Sequence, residues 1–170
     1  MGETGVFAPE ARLELIEGEI VEMAPVGSRH AGAVNTLNRL FGRLAGDRAV
    51  VSVQNPVIVA ERSVPQPDLA LLKPRADSYS GAHPTAADVL LVVEVADTTL
   101  AFDIGTKVPL YARVAVSEVW VVDLNEQAVR VYREPSASGY KTAFTVAGDN
   151  SLAVLALPEV AVALLELFPR

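Results

Sequence analysis

The chain has no cysteine. That excludes a disulfide scaffold, a thiol nucleophile, an iron–sulfur cluster and a cysteine-based zinc site. It has two histidines, His30 and His83. A three-histidine metal centre is therefore impossible within one chain, and a bound metal would be held mainly by carboxylates. Lysine is scarce as well, with only Lys73, Lys107 and Lys141. Acids outnumber bases 21 to 14, for a net charge of −7, so tight sequence-independent binding to a polyanion is not the default expectation. No apolar run reaches the roughly 18 residues that span a bilayer. Residues 1–10 carry acids but no Lys or Arg, unlike a signal peptide. The expectation is a cytoplasmic protein with no membrane partner.

What is present suits a packed core. Of 170 residues, 51% are hydrophobic and 21% charged, which argues against disorder. Length and the lack of repeats or linkers predict a single domain over 1–170, with 1–10 a loosely ordered extension. Residues 14–23 alternate around Glu17-Gly18 and predict a hairpin. Ser28 is a natural helix cap, and Val34, Leu37, Leu40, Phe41 and Leu44 follow at helical spacing to about Ala45. Residues 49–60 read as one long strand or bulged pair, with Pro56 at an edge or bulge. Asp68 opens a short apolar strand, and 73–87 is a Pro/Gly/Ser-rich loop. Residues 89–95 form a nearly continuous apolar run, the mark of a strand covered on both faces. Thr98 or Thr99 caps a helix over 100–114. Strands follow at 118–124 and 127–133, then plausible edge strands at 140–146 and 151–155. Pro158 is expected to start a C-terminal helix packed through Val160, Val162, Leu164 and Leu165. One helix connects two central strands, which predicts an α/β fold with a mixed sheet.

Glu94 is the strongest chemical anomaly. A carboxylate inside a hydrophobic strand is costly to bury without a cation, a metal or a raised pKa. The blander account puts it at the strand end, reaching solvent or an arginine. Asp68 follows Pro67 at the head of its own strand, where a turn or cap aspartate is also common. Lys107 lies mid-helix, thirteen residues after Glu94, and would pair with Asp103 one turn earlier in an ordinary solvated helix. Arg39 and Arg43 are one helical turn apart and are candidate phosphate contacts, although such arginines more often form a solvated face. There is no glycine-rich phosphate loop, Gly-x-Ser-x-Gly elbow or His-Glu-x-x-His helix.

Taken together these residues resemble something specific. Pro67-Asp68 on one strand, followed by a hydrophobic strand ending in Glu94, outlines the PD-(D/E)XK nuclease core. More closely, Glu14-Leu-Ile-Glu-Gly-Glu19, Pro25, His30, Pro67-Asp68-Leu and Val92-Val-Glu-Val-Ala-Asp-Thr98 appear in that order. Asp103, Lys107 and Tyr111 follow, then Glu118-Val-Trp-Val-Val-Asp123. From Leu13 to Val131 the chain is similar to the Uma-type family of endonucleases with a restriction-endonuclease-like fold. It departs from the wider nuclease pattern at Ala96, where a lysine is expected two residues after the acid. In the resembling family a helix lysine takes that role, here Lys107. It departs again at Asp97-Thr98, where a Ser-Pro-like turn is common.

The resemblance implies a restriction-endonuclease-like core: a central mixed sheet flanked by helices, with additional hairpins. It implies catalytic residues Asp68, Glu94 and Lys107, and Mg²⁺ or Mn²⁺ held by Asp68, Glu94 and the main-chain carbonyl of Val95. The substrate would be DNA, as a single chain or a homodimer. His30, Gln54, Glu19 and Asp103 are accessory candidates, each with a structural alternative: a core histidine, an edge position, a solvent-facing hairpin residue and a partner for Lys107. Two other readings compete: a catalytically silent or regulatory dimerising module on the same fold, and a small-molecule hydrolase using the carboxylates as acid and base.

Overall fold

The computed structural model describes residues 12–23 and 25–168; the extension expected at 1–10 lies outside the described residues. The chain opens with the predicted hairpin, β1 (Leu13–Ile16) and β2 (Glu19–Glu22), paired antiparallel. Its two turn residues, Glu17 and Gly18, both have positive φ, 51° and 87°, as a tight turn between twisted strands requires. Gly18 is further constrained because a Cβ there would collide with the guanidinium of Arg62.

Helix α1 (Ser28–Ala45) follows. Its buried residues, Ala33, Val34, Leu37, Leu40, Phe41 and Ala45, recur at three- and four-residue steps, so one stripe faces inward. The sequence places the cap at Ser28. In the structure Gly27 is the N-cap and no side chain caps the helix.

The central sheet has six strands in the order β3 (Val50–Val53), β4 (Leu69–Leu72), β5 (Val89–Ala96), β6 (Glu118–Asp123), β7 (Ala128–Ser136) and β8 (Gly139–Ala147). Only β5 and β6 run parallel; the other neighbours are antiparallel. A parallel pair needs a crossover, here supplied by helical residues 100–113. The expected mixed sheet is therefore present. The long strand expected over 49–60 is corrected: pairing ends at Val53, because Gln54 turns to a left-handed φ of 51°.

The two faces of the sheet read directly from alternation. Leu69, Leu71, Leu91, Val93, Val95, Trp120 and Val122 pack with Leu37, Leu40 and Phe41 of α1. Each such large side chain contributes on the order of 1.5–3 kcal/mol of burial. Ala70, Leu72, Val92, Ala96, Val119 and Val121 pack on the other side with Val108 and Tyr111 of the crossover. Glu94 belongs by parity to that second face.

The crossover is a composite: a short helix α2 (Leu100–Phe102), a π turn over Asp103–Lys107, then α3 (Val108–Arg113). Pro109 cannot donate to the carbonyl of Gly105, and its ring would crowd that carbonyl in a regular helix. The wide turn just before it accommodates the proline, with Val108 N–H donating to Asp103 O. Both ends of this turn, Asp103 and Lys107, are buried. Single π turns often mark functional positions.

The C-terminal expectation is corrected. Pro158 does not start a helix. Residues Leu157–Ala163 form β10, paired antiparallel with β9 (Ser151–Val154) in a second two-stranded sheet. Val160 and Val162 point inward two residues apart, and a period of two is a strand period. The helix is confined to one turn, α4 (Leu164–Leu167). Of the two expected late edge strands, 140–146 forms β8 at the edge of the main sheet, and 151–155 belongs to the separate hairpin.

Candidate active site

Asp68 and Glu94 meet because β4 and β5 are antiparallel with Leu69 opposite Val93. One step further along, Asp68 and Glu94 fall opposite each other on the same face. Asp68 is 6% exposed and Glu94 2%. Neither is bare. Asp68 Oδ1 accepts from Gln54 Nε2 at 3.1 Å. Its Oδ2 accepts from the main-chain N–H of Val95 at 2.9 Å and from His30 Nε2 at 3.0 Å. Gln54 also donates its main-chain N–H to the carbonyl of Asp68 at 3.1 Å. A left-handed glutamine costs roughly 1–2 kcal/mol, and here the strained residue holds both ends of an aspartate.

Glu94 faces the crossover helix. Tyr111 donates its hydroxyl to Glu94 Oε1 at 2.7 Å, and Lys107 donates Nζ to Oε2 at 3.2 Å. Lys107 is also paired with Glu14 Oε1 at 2.9 Å. Glu14 in turn accepts the main-chain N–H of Gln66 at 2.6 Å, which ties the hairpin to the approach to β4. Asp103 accepts from the Thr99 hydroxyl at 2.6 Å. Thr99 is the N-cap of α2 as expected, yet its side chain serves Asp103 rather than the helix end.

The charges are unbalanced. Among the described residues, Lys107 is the only buried cation, and Glu14, Glu94, Asp103 and Asp68 are buried around it. Burial pushes the Glu94 carboxyl up to about 8, and the Asp103, Asp68 and Glu14 carboxylates add to this against the pull of Lys107. Burial likewise raises Asp103 to about 6. Burial alone would depress the Lys107 ammonium, but Glu94, Glu14 and Asp103 hold its pKa above the usual lysine range. Burial also works against an ionised Asp68, yet the donors His30, Val95 N–H and Gln54 keep it below the usual carboxylate range. The hydrogen bond to Asp68 raises His30. His30 Nδ1 is buried and has no hydrogen-bond partner among the described residues.

The donor set fits a hard divalent cation. An ionised carboxylate has about four acceptor positions. Three of Asp68's are used and two of Glu94's, leaving free lone pairs on both. Among the described residues no group of three or more His, Asp and Glu side chains is set to hold a metal. A cation here would complete its shell with a carbonyl and several waters, as Mg²⁺ commonly does. The excess of buried carboxylate over cation is the charge such an ion would offset.

These groups form the floor of a pocket of about 390 Å³. Asp68, Glu94, Lys107, Val95, His30 and Asp103 all line it. Gln54 does not line it and acts on Asp68 from behind. Glu19 is exposed on β2, away from the pocket. Arg39 lies about two and a half turns along α1 from His30 and Arg43 about three and a half, with Arg43 about 20 Å away. Arg39 is exposed, Arg43 pairs with Glu166 at 2.7 Å, and neither lines the pocket. Reasoning from sequence missed Glu14, which the hairpin carries inward beside Ile16; that alternation with Ile16 was the available signal. It also missed the apolar wall of Val21, Met23, Val26 and Phe102.

The chain matches the family model Uma2, described as "Putative restriction endonuclease", over residues 4–165. A crystal structure described as a "putative nuclease belonging to DUF820 from Anabaena variabilis ATCC 29413" has the same fold, with a TM-score of 0.71 at 16% identity. The alignment covers 92% of this chain and 89% of that one. No curated protein matches the sequence. Among the described residues no helix is long and apolar enough to cross a membrane.

Proposed function

We propose, proceeding from the fact that this chain belongs to the Uma2 family, that it is an endonuclease hydrolysing DNA phosphodiester bonds at a two-carboxylate site for Mg²⁺ or Mn²⁺. The observation that carries this reading is the set of four buried carboxylates around one buried lysine on the pocket floor.

Asp68, Glu94 and the carbonyl of Val95 would hold the cation. Bound there, a divalent cation supplies Lewis-acid stabilisation of the charge developing on phosphorus and lowers the pKa of water. The chain's own residues do the rest. Gln54, His30 and the Val95 N–H fix the Asp68 carboxylate in one orientation and keep it ionised. Tyr111 and Lys107 each engage one oxygen of Glu94, leaving a lone pair on each for the ion. Lys107, steadied by Glu14, presents an ammonium proton beside Glu94, where it orients the attacking water or a phosphate oxygen. A direct attack by water needs no covalent enzyme intermediate, consistent with a pocket floor that offers no thiol.

The test uses supercoiled plasmid with 5–10 mM Mg²⁺ or Mn²⁺, with the chain compared to Asp68→Asn and Glu94→Gln. Loss of either ligand should lower cleavage on the order of 100-fold or more, and calorimetry should show Mn²⁺ binding only to the unsubstituted chain. Equal cleavage by all three proteins would refute the site. Absence of both cleavage and Mn²⁺ binding would favour a catalytically silent module.

A further inference from the structure

The groups that would act on the phosphodiester are buried, between 2% and 6% exposed, at the bottom of a pocket rather than on an open surface. The pocket lining includes Val21 and Met23 on the hairpin side, Val26 ahead of α1, and Phe102 at the end of α2. Val26 is 43% exposed and Phe102 is half-buried, so the apolar part of the lining reaches the surface while the carboxylates lie buried. The volume, about 390 Å³, lies in the range that encloses a small organic ligand. It suits one nucleotide. A base-paired helix holds its phosphates on the outside of a rigid cylinder, which does not fold one of them inward to groups this deeply buried.

The charges around the opening agree. Among the described residues six acids line the pocket, Glu14, Glu22, Asp68, Glu94, Asp97 and Asp103, against Arg12, Lys107 and His30. Lys107 is engaged by Glu14 and Glu94. Arg29, near the rim, is held by Asp97, the carbonyl of Leu124 and Asn125. Duplex binding draws much of its affinity from rows of phosphate contacts, and the rim offers few cations to make them. An unpaired nucleotide needs fewer, because its base can stack on an aromatic or apolar wall.

We infer that the pocket takes an unpaired nucleotide, with the base against Phe102, Met23 and Val26 and the adjoining phosphate over Asp68 and Glu94. The substrate class is then single-stranded, bulged or frayed nucleic acid in preference to intact duplex. This rests on the nuclease reading for the cleavage step, but the binding of the base does not.

The test uses one DNA sequence in three forms: intact duplex, the same duplex with a one-nucleotide bulge, and single strand. Each carries 2-aminopurine at the unpaired position or its paired equivalent. Cleavage is measured with Mn²⁺, and base stacking is measured without metal as fluorescence quenching on binding. The bulged and single-stranded forms should be cut at least tenfold faster than the duplex, with quenching only in those two. Phe102→Leu, which keeps apolar volume, should weaken the quench and lower cleavage of the unpaired forms several-fold, and thermal unfolding checks that it folds. Duplex cut as fast as the unpaired forms would overturn the inference and leave the nuclease reading standing. Quenching without any cleavage would support the inference and overturn the nuclease reading. Neither quenching nor cleavage would overturn both.

Discussion

The buried carboxylates make the metal-free chain lose stability as pH rises through neutrality, opposite to the trend for a salt-bridged surface acid. Glu94 has a folded-state pKa near 8 through burial and its acidic neighbours, against about 4.3 in an unfolded chain. Between those values the folded state holds one proton that the unfolded state has released. Stability then falls by about 1.4 kcal/mol for each pH unit. From pH 6 to 7.5 this amounts to about 2 kcal/mol, and the decline levels off above pH 8. His30 acts in the same direction, since its hydrogen bond to Asp68 raises it and that contribution is lost as pH rises through its folded value. Asp68 is lowered, so its contribution is lost only in acid, below this window. Urea unfolding in EDTA at pH 6.0 and 7.5 measures the difference. Glu94→Gln should flatten the profile and match or exceed the unsubstituted chain at pH 7.5, because it removes the ionisation that burial opposes. Millimolar Mn²⁺ should restore stability to the unsubstituted chain by binding only its folded form. Unfolding free energy that is flat or rising over this interval in the metal-free chain would refute the reasoning.

Lys107→Ala leaves Glu14 and Glu94 without their cation and should cost about 3–5 kcal/mol in urea unfolding, with plasmid cleavage lost. Adding Ala96→Lys to it should recover no cleavage, because Ala96 is 1% exposed beneath the crossover helix, and a recovery of tenfold or more in the plasmid assay would show that a nitrogen arriving from the strand serves as well. Leu37→Ala, fully buried between α1 and the sheet, should cost about 2–5 kcal/mol with unchanged cleavage per folded molecule, measured by thermal unfolding alongside the plasmid assay.

Where burial on both faces is written as a continuous apolar run, the sequence could be read well. Residues 89–95 announce a central strand, and the one charge in that run, Glu94, points to the candidate site. Helix α1 was legible from spacing alone, and Asp68, Glu94 and Lys107 from their order. The misreadings share a cause: each depends on contacts between distant segments. Glu14 is buried because Gln66, 52 residues away, and Lys107 close over it; the alternation with Ile16 puts it on the inward face, but its partners come from distant segments. Gln54 reads as an accessory candidate within a long strand, but it turns out of the sheet to bind Asp68. At the C-terminus Pro158 suggested a helix start, yet pairing with β9 fixed a strand whose two-residue alternation was present in Val160 and Val162.

The departure at Ala96 has a structural logic. Ala96 shares the face of Glu94, two residues on, and is 1% exposed among Val92, Val108, Tyr111 and Val119. A lysine on the strand would have to thread through that packing to reach Glu94. The crossover brings its own lysine to the same place from above, with Nζ 3.2 Å from Glu94. Tyr111, four residues on and past the π turn, reaches the other oxygen of the same carboxylate. In a regular helix Asp103, Lys107 and Tyr111 would lie in a row along one face. The wide turn before Pro109 alters that spacing, and all three are buried at the site rather than strung along the helix. The small residue at 96 and the widened helix are thus two halves of one arrangement. The strand gives up a side chain so that the helix can pack closely, and the helix then supplies the charge.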